Sequence, residues 1–370
     1  MFVRQIHVHG FRNLRSQPID LSPGINLFVG DNGQGKTNLL EAIHVLAALR
    51  SFRTPSLKEL VAHGAERAAI DGAVLRDEVP MQLRVVLEKG IRRAWMGSRP
   101  VQNVKDYLGQ LKAIAFSPDD VSMIKGAPPN RRRFLDHAVF LFCPDHLRTM
   151  REFRTSLAAR NRLLKESFGR PDRDLIDSFS LTLARAGASV SKARRALFSR
   201  LEPSASRFLT ELEGRDAEVS LEYQPGWDMG ENPTAEALHS ALTRRFERDL
   251  QRGSTGVGPH LDDFDVRLNG QSARHFASQG QQRSASVALL LAVVEEALRA
   301  GSEKPVVLLD DVSSELDSSR RECLFRYVLS LESQVLITTT DPRSVEGVIS
   351  RVDRRFSVRA GRIEGDGSLC

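Results

Sequence analysis

Between Gly30 and Thr37 the chain reads GDNGQGKT, three glycines followed by one lysine and one hydroxyl. The spacing GxxxxGK[ST] lets unhindered backbone N–H groups wrap a phosphate while a cation and a hydroxyl converge on it. Gly30, Asp31, Asn32, Gly33, Gln34, Gly35, Lys36 and Thr37 are therefore the candidate nucleotide-binding loop. In that role Lys36 reaches the β and γ oxygens and the Thr37 hydroxyl ligates a metal, which makes ATP and Mg²⁺ the expected cofactors. A second group lies 274 positions after Lys36, where VVLLDD, Val306 to Asp311, is an apolar strand ending in two carboxylates. Asp310 is suited to hold Mg²⁺ through water, and Asp311 to orient or deprotonate the attacking water. Two acids after an apolar strand also suit the capping of a helix; the phosphate loop upstream is what favours the catalytic reading.

Between these groups stands ASQGQQRSASVALLLAVVEEAL, in which Ser278 and Gly280 precede a long apolar run. A helix N-terminus there would attract an anion, and a simple Ser N-cap is the alternative.

The elements that must position these residues follow from periodicity. INLFVG, Ile25 to Gly30, reads as a buried strand, and TNLLEAIHVLAAL, Thr37 to Leu49, as a helix with Leu39, Ile43 and Leu46 on one face. Strand-like pieces such as MQLRVVLE fill the stretch from Ala69 to about Leu111. From about Phe134 to Leu212 the pattern turns helical, and it marks a second domain. Then come VSLEYQPGW, a Gly-rich turn GSTGVGPH, the strand DFDVRLNG, a helix from about Gln281 to Ala300, VVLLD, a further helix and the strand QVLITTT. The fold class expected is α/β, with a helical second domain at 121–212 set between residues 1–120 and 213–370.

At 370 residues, 41% hydrophobic and 27% charged, the chain is long enough for two or three packed units. Its three cysteines, Cys143, Cys323 and Cys370, are far apart with no CxxC pair, which argues against zinc and against a disulfide framework. The N-terminal MFVRQIHVHGFRN lacks the apolar core of a signal peptide, and the longest aliphatic stretch, Val287 to Val294, is short of the roughly 20 residues of a membrane span. A cytoplasmic location is expected. The net charge of +6 is unevenly spread: residues 131–200 carry 14 Arg and 2 Lys against 7 acids. Guanidinium groups suit phosphate contact, so this segment is a candidate DNA surface; a solvated helix face is the other reading.

Taken together, the chain resembles the RecF family of the SMC-like ABC ATPases over essentially its full length. The resemblance rests on PDDVSMIKGAPPNRRRFLD, Pro118 to Asp136, and LLDDVSSELDSSRRECL, Leu308 to Leu324, with GFRNL at Gly10 to Leu14 and GPH at Gly258 to His260. It implies that residues 1–120 and 213–370 form an ATPase head with an inserted helical arm at 121–212, that Ser278 and Gly280 form a signature motif closing on ATP held by a second copy, that Ser313 to Asp317 is a D-loop, and that Lys36, Asp310, Asp311, Ser278 and Gly280 are the catalytic set, with Thr37 and Asp310 at the metal. It further implies ATP-dependent homodimerisation on duplex and single-strand DNA at gap junctions, with RecR and RecO as partners and RecA loaded indirectly, at the nucleoid. Arg131, Arg132 and Arg133 match the family's basic motif, as DNA contacts or as a structural link between arm and head. Departures from the ABC pattern are Gln279 within the signature, Asp311 where Glu is common, Thr339 where a switch histidine often sits, and Leu261 after the GPH loop; slow turnover is expected. A long-armed SMC protein is a poor fit, because only 241 residues separate Thr37 from Ser278, with no heptads. A transporter ATPase would not explain the motif ending at Asp136. A protein holding ATP as a structural ligand is the non-enzyme alternative, which measured hydrolysis distinguishes.

Overall fold

The computed structural model describes residues 1–166, 172–214, 217–230, 232–301, 303–311 and 316–365. Two units divide the chain: 1–120 with 211–214 and 290–370, and 121–210 with 215–289. The first unit begins with β1 (Phe2–His9), β2 (Pro18–Asp20) and β3 (Ile25–Val29), then helix α1 (Lys36–Ala48) and strands β4 (Arg67–Arg76), β5 (Val79–Glu88), β6 (Ile91–Met96) and β7 (Arg99–Pro100). A turn of helix, α2 (Val104–Tyr107), leads to β8 (Ala113–Phe116). The second unit holds α3 (Ser122–Lys125), α4 (Pro128–Phe142), α5 (His146–Glu166) and most of α6 (Arg173–Glu213). It continues through β9 (Val219–Gln224), α7 (Ala235–Arg244), α8 (Phe246–Arg252), β10 (Asp263–Leu268), β11 (Gln271–Ser272) and α9 (Ala273–Phe276). Helix α10 (Gln279–Arg299) carries the chain back to the first unit, which closes with β12 (Val306–Asp310), α11 (Ser318–Ser330), β13 (Val335–Thr339), α12 (Glu346–Ile349), β14 (Val352–Arg359) and β15 (Arg362–Gly365).

The first unit has two six-stranded sheets. One is antiparallel, in the order β2-β1-β4-β5-β6-β7, and its strands alternate: Leu83, Val85 and Leu87 of β5 point inward between more exposed neighbours. The other runs β15-β14-β3-β13-β12-β8, with all strands parallel except β15. INLFV, VVLLD and VLITT lack alternation because both faces of a parallel sheet are covered, and β12 and β13 are buried at every position. Helix α1 packs against strands of both sheets. Leu39, Ile43 and Leu46 are buried, and because more than one face of α1 is covered Leu40, Val45, Glu41 and His44 are buried as well. Burial holds His44 at a pKa of about 3, so it is neutral in this core.

In the second unit α6 runs through 41 residues. Pro203 lies within it, and its missing N–H leaves Ser199 O without its helical donor. The helix continues because Leu201, Ala205, Phe208 and Leu209 are buried on either side of the proline. The sheet β11-β10-β9 belongs to this unit, its Phe264 ring lying 5.6 Å from Phe198 of α6 and 6.0 Å from Phe134 of α4. The boundaries expected from sequence thus change: residues 215–289, assigned there to the head, cluster with the helices instead. Among the described residues no helix is long and apolar enough to cross a membrane, and no group of three or more His, Cys, Asp or Glu side chains is arranged to hold a metal.

Candidate active site

The loop from Gly30 to Gly35 joins the end of β3 to the start of α1, at the carboxyl edge of the parallel sheet. Its glycines are demanded by geometry. A Cβ on Gly30 would meet Val358 O at 2.3 Å, and Gly33 and Gly35 take φ of 76° and 113°, where side chains are strained. Open space surrounds the Cβ position of Gly33, while Asp31 and Asn32 are exposed. The loop is braced from two sides. Asn13 Nδ2 donates to Gly33 O at 2.9 Å, and the turn between β14 and β15 donates Gly361 N–H to Gln34 O at 2.8 Å and Ala360 N–H to Gln34 Oε1 at 2.6 Å.

Lys36, 6% exposed, folds back so that Nζ donates to Gly30 O at 2.7 Å and Asp31 O at 2.9 Å. Burial lowers its pKa, and Asp311, Asp310 and Asp31 oppose that shift. The adjacent Thr37 donates its hydroxyl to Asp310 Oδ1 at 2.8 Å. Thr338, directly opposite Asp310 in the β12–β13 register, donates to the same oxygen at 2.9 Å. Burial pushes the Asp310 carboxyl above the usual carboxylate range, an effect only partly offset by these two hydroxyls. Asp311 lies in the left-handed region at φ 48°, its N–H bonded to Thr338 O and Oγ1 at 3.2 and 3.0 Å.

This donor set fits the cofactors expected. Oxygen ligands from Thr37 and Asp310 suit a hard cation such as Mg²⁺, and the glycine backbone beside Lys36 suits phosphate. Lys36, Thr37, Asp310 and Asp311 are thus brought together in one unit.

Ser278 and Gly280 belong to the second unit, at the start of α10. Ser278 is an exposed N-cap in a reciprocal capping box, taking Gln281 Oε1 on its N–H at 2.9 Å while its Oγ accepts Gln281 N–H at 3.2 Å. Of the proposed D-loop, residues 313–315 lie outside the described residues; Asp317 caps α11 by accepting from Arg320 N–H at 3.0 Å. Thr339 is occupied locally, donating to Asp341 O and bonded to Ser344 Oγ at 2.9 Å.

The basic triplet separates into three environments. Arg131 is 1% exposed and grips the Asp263 carboxylate with two nitrogens, while Nη1 donates to Gly126 O at 2.7 Å. The expectation that Arg131 touches DNA is therefore corrected: its guanidinium is spent inside its own unit. Arg132 is half-buried and donates to Asp262 O at 2.8 Å; Arg133 is exposed. Two more arginines of the basic segment are internal, Arg160 with Asp249 and Arg194 with Asp136 and Asp262.

Sequence reasoning passed over three contributors. Thr338 betrays itself only through strand register. Asn13 lies in the GFRNL segment, where its neighbour Arg12 makes a two-pronged pair with the buried Glu41 of α1 at 2.9 and 3.0 Å. Asp120, just after β8, accepts Ser117 N–H at 2.6 Å and is pushed up to about 7 by burial, with Asp310 among the charges that raise it.

A phosphate loop leaving β3, with a Walker B carboxylate two strands away on β12 and a helical unit inserted between them, defines an ABC-type ATPase head of the SMC kind. The comparisons with known proteins agree: residues 2–364 match the RecF/RecN/SMC N terminal domain family. The chain is 39% identical over 365 residues to the DNA replication and repair protein RecF of Myxococcus xanthus (strain DK1622), covering 97% of this chain and 96% of that protein. It is 35% identical over 370 residues to the protein of that name from Lactobacillus acidophilus (strain ATCC 700396 / NCK56 / N2 / NCFM), covering 98% of each. A solved structure of the recombination mediator protein RecF with ATP, in the RecFOR pathway, superposes with a TM-score of 0.89 at 33% identity over 99% of this chain and 98% of that one. An Smc head bound to the C-winged helix domain of ScpA shares the fold at a TM-score of 0.59 and 16% identity, covering 100% of this chain and 98% of the other. The chain belongs to the RecF family.

Proposed function

We propose that this protein is an ATP-dependent DNA clamp of recombinational repair, with weak ATPase activity. The observation that carries the reading is the convergence of Lys36, Thr37 and Asp310, with Asp311 beside them, at the end of a parallel sheet. The relatives' names support a role in DNA replication and repair, and the RecFOR pathway of the solved relative supports RecO and RecR as partners.

In this reading bound ATP supplies the γ-phosphate, and Thr37 and Asp310 would hold Mg²⁺, which would supply charge neutralisation there. The chain's own part is electrostatic and geometric. Lys36 turns from its loop carbonyls toward the β and γ oxygens, Asp310 would help hold the metal, and Asp311 orients the attacking water. Ser278 and Gly280 of a second copy close on the γ-phosphate, so ATP acts as an assembly signal rather than a motor fuel. Closure brings two arms onto one duplex. Arg133, Arg148, Arg151 and Arg185 remain exposed on the helices of each arm for phosphate contact, with helping to load RecA at gaps as the biological outcome.

Sedimentation with and without ATP, on and off DNA carrying a duplex to single-strand junction, tests assembly and DNA coupling together. Each neutralised phosphate adds about −0.9 to the slope of log K against log salt on B-DNA, so the ATP form is expected to have the steeper slope. Equal slopes in both forms would refute the clamp. A protein that binds ATP without turning it over would instead match the structural-ligand alternative.

A further inference from the structure

Within the second unit, two arginines hold one carboxylate. Arg131 of α4 donates Nε to Asp263 Oδ1 and Nη2 to Oδ2, the latter at 3.0 Å, and Arg274 of α9 donates Nη2 to the same Oδ2 at 3.0 Å. Burial disfavours the charged carboxylate, but hydrogen bonds from both arginines outweigh it and hold Asp263 below the usual range. Arg131 is further anchored by the carbonyls of Ile124 and Gly126 at 3.3 and 2.7 Å, so the carboxylate is fixed from behind.

Helix α9 ends at Phe276, two residues before Ser278. Of its four residues only Ala273 is buried, and Phe276 is 69% exposed, so apolar packing does little to hold it. Its ties are polar. Arg274 fastens it to Asp263, and Gln282, buried one turn into α10, donates Nε2 to Ala273 O at 3.1 Å and Arg274 O at 3.4 Å. The segment from Ala277 to Gly280 hangs between these two fastenings.

We propose that Arg131, Asp263 and Arg274 form a positioning clamp for Ser278 and Gly280, with Arg274 as the positioning residue that ties the segment to the buried pair. The inference rests on the proposed closure of Ser278 and Gly280 upon ATP held by a second copy. It also gives the basic motif ending at Asp136 a task inside the ATPase cycle rather than on DNA.

Arg274→Gln in the full-length chain tests it, because the Arg131–Asp263 pair survives that change and Arg274 is already partly exposed. The measurements are ATP affinity by calorimetry, thermal midpoint, and the ATP-dependent dimer constant by sedimentation, with Ser278→Arg run alongside. We expect wild-type ATP affinity, a midpoint lowered only by the few degrees that one partly exposed hydrogen bond contributes, a dimer weakened about tenfold because the segment loses its tether, and partial recovery in Arg274→Lys. If Ser278→Arg loses dimerisation while Arg274→Gln keeps it, the clamp is overturned and closure stands. If Ser278→Arg still dimerises normally, or the wild type does not dimerise with ATP, closure fails and the clamp with it. A fall in midpoint and ATP affinity matching the loss of dimer would make Arg274 merely structural and also overturn the proposal.

Discussion

The hydroxyl of Thr37 donates to Oδ1 of Asp310 across 2.8 Å, joining positions 273 residues apart in the sequence. The sheet order explains the meeting. Strand β13 lies between β3 and β12, so the loop leaving β3 and the carboxylate ending β12 both open at the same edge. The middle strand adds Thr338, and Asp310 Oδ1 receives both hydroxyls.

Removal of Lys36 should separate binding from folding. Its ammonium donates to the loop carbonyls of Gly30 and Asp31, and Lys36→Ala is expected to weaken ATP affinity by about tenfold or more and to abolish ATP-dependent dimerisation. Lys36→Arg should retain binding but misplace the γ-phosphate. Normal ATP affinity of Lys36→Ala in calorimetry would remove the phosphate-loop assignment.

Asp311 carries the hydrolysis prediction. Its side chain is one methylene shorter than Glu, and wild-type turnover should fall well below the ~1–10³ s⁻¹ typical of enzymes. Asp311→Asn should bind ATP and accumulate as an ATP-bound dimer on DNA. Phosphate release by that variant at the wild-type rate would take Asp311 out of the mechanism.

Thr338→Val probes the second hydroxyl on Asp310. The substitution keeps the volume of a fully buried position but removes one donor from the carboxylate and one acceptor from Asp311 N–H. Mg²⁺-dependent ATP affinity should fall while metal-free nucleotide affinity holds; titrations with and without Mg²⁺ check this, and unchanged Mg²⁺ dependence would discount Thr338.

Asp120 gives a pH signature. Burial first, then Asp119 and Asp310, raise its folded pKa to about 7 from 3.8, against bonds from Ser117 that lower it. Between those values the folded chain binds the extra proton, so stability from this group declines as pH rises from about 4 through 7. Asp120→Asn should gain thermal midpoint over the wild type progressively across that window, and an equal difference at pH 5 and pH 8 would rule the effect out.

The arginine triplet should divide by burial. Arg131→Ala leaves Asp263 with one of its two arginines, Arg274, and is expected to cost about 1.5–3 kcal/mol of stability. Arg133→Ala, at an exposed site, should change stability by less than about 0.5 kcal/mol and reduce the DNA salt slope by about 0.9. Unfolding curves and salt titrations of the two variants decide it; equal stability losses would contradict the division.

The sequence by itself determined the phosphate loop, because its glycines, Lys36 and Thr37 lie within eight residues and their geometry is local. It also determined the strands INLFV, VVLLD and VLITT, whose mainly aliphatic residues do not alternate with exposed polar ones as on a half-solvated strand, and Asp310 followed as the acid ending one of them. The tertiary structure alone decided which hydroxyl besides Thr37 meets Asp310, because strand register places Thr338 there and composition does not. It alone decided that Arg131, Arg160 and Arg194 face inward, for their carboxylates stand 132, 89 and up to 68 positions away. Counting charge along the chain treats those arginines as available to DNA; burial beside a partner neutralises them. The same reason assigns residues 215–289 to the helical unit: periodicity names a strand, but only packing of Phe264 against Phe198 and Phe134 says which core it joins.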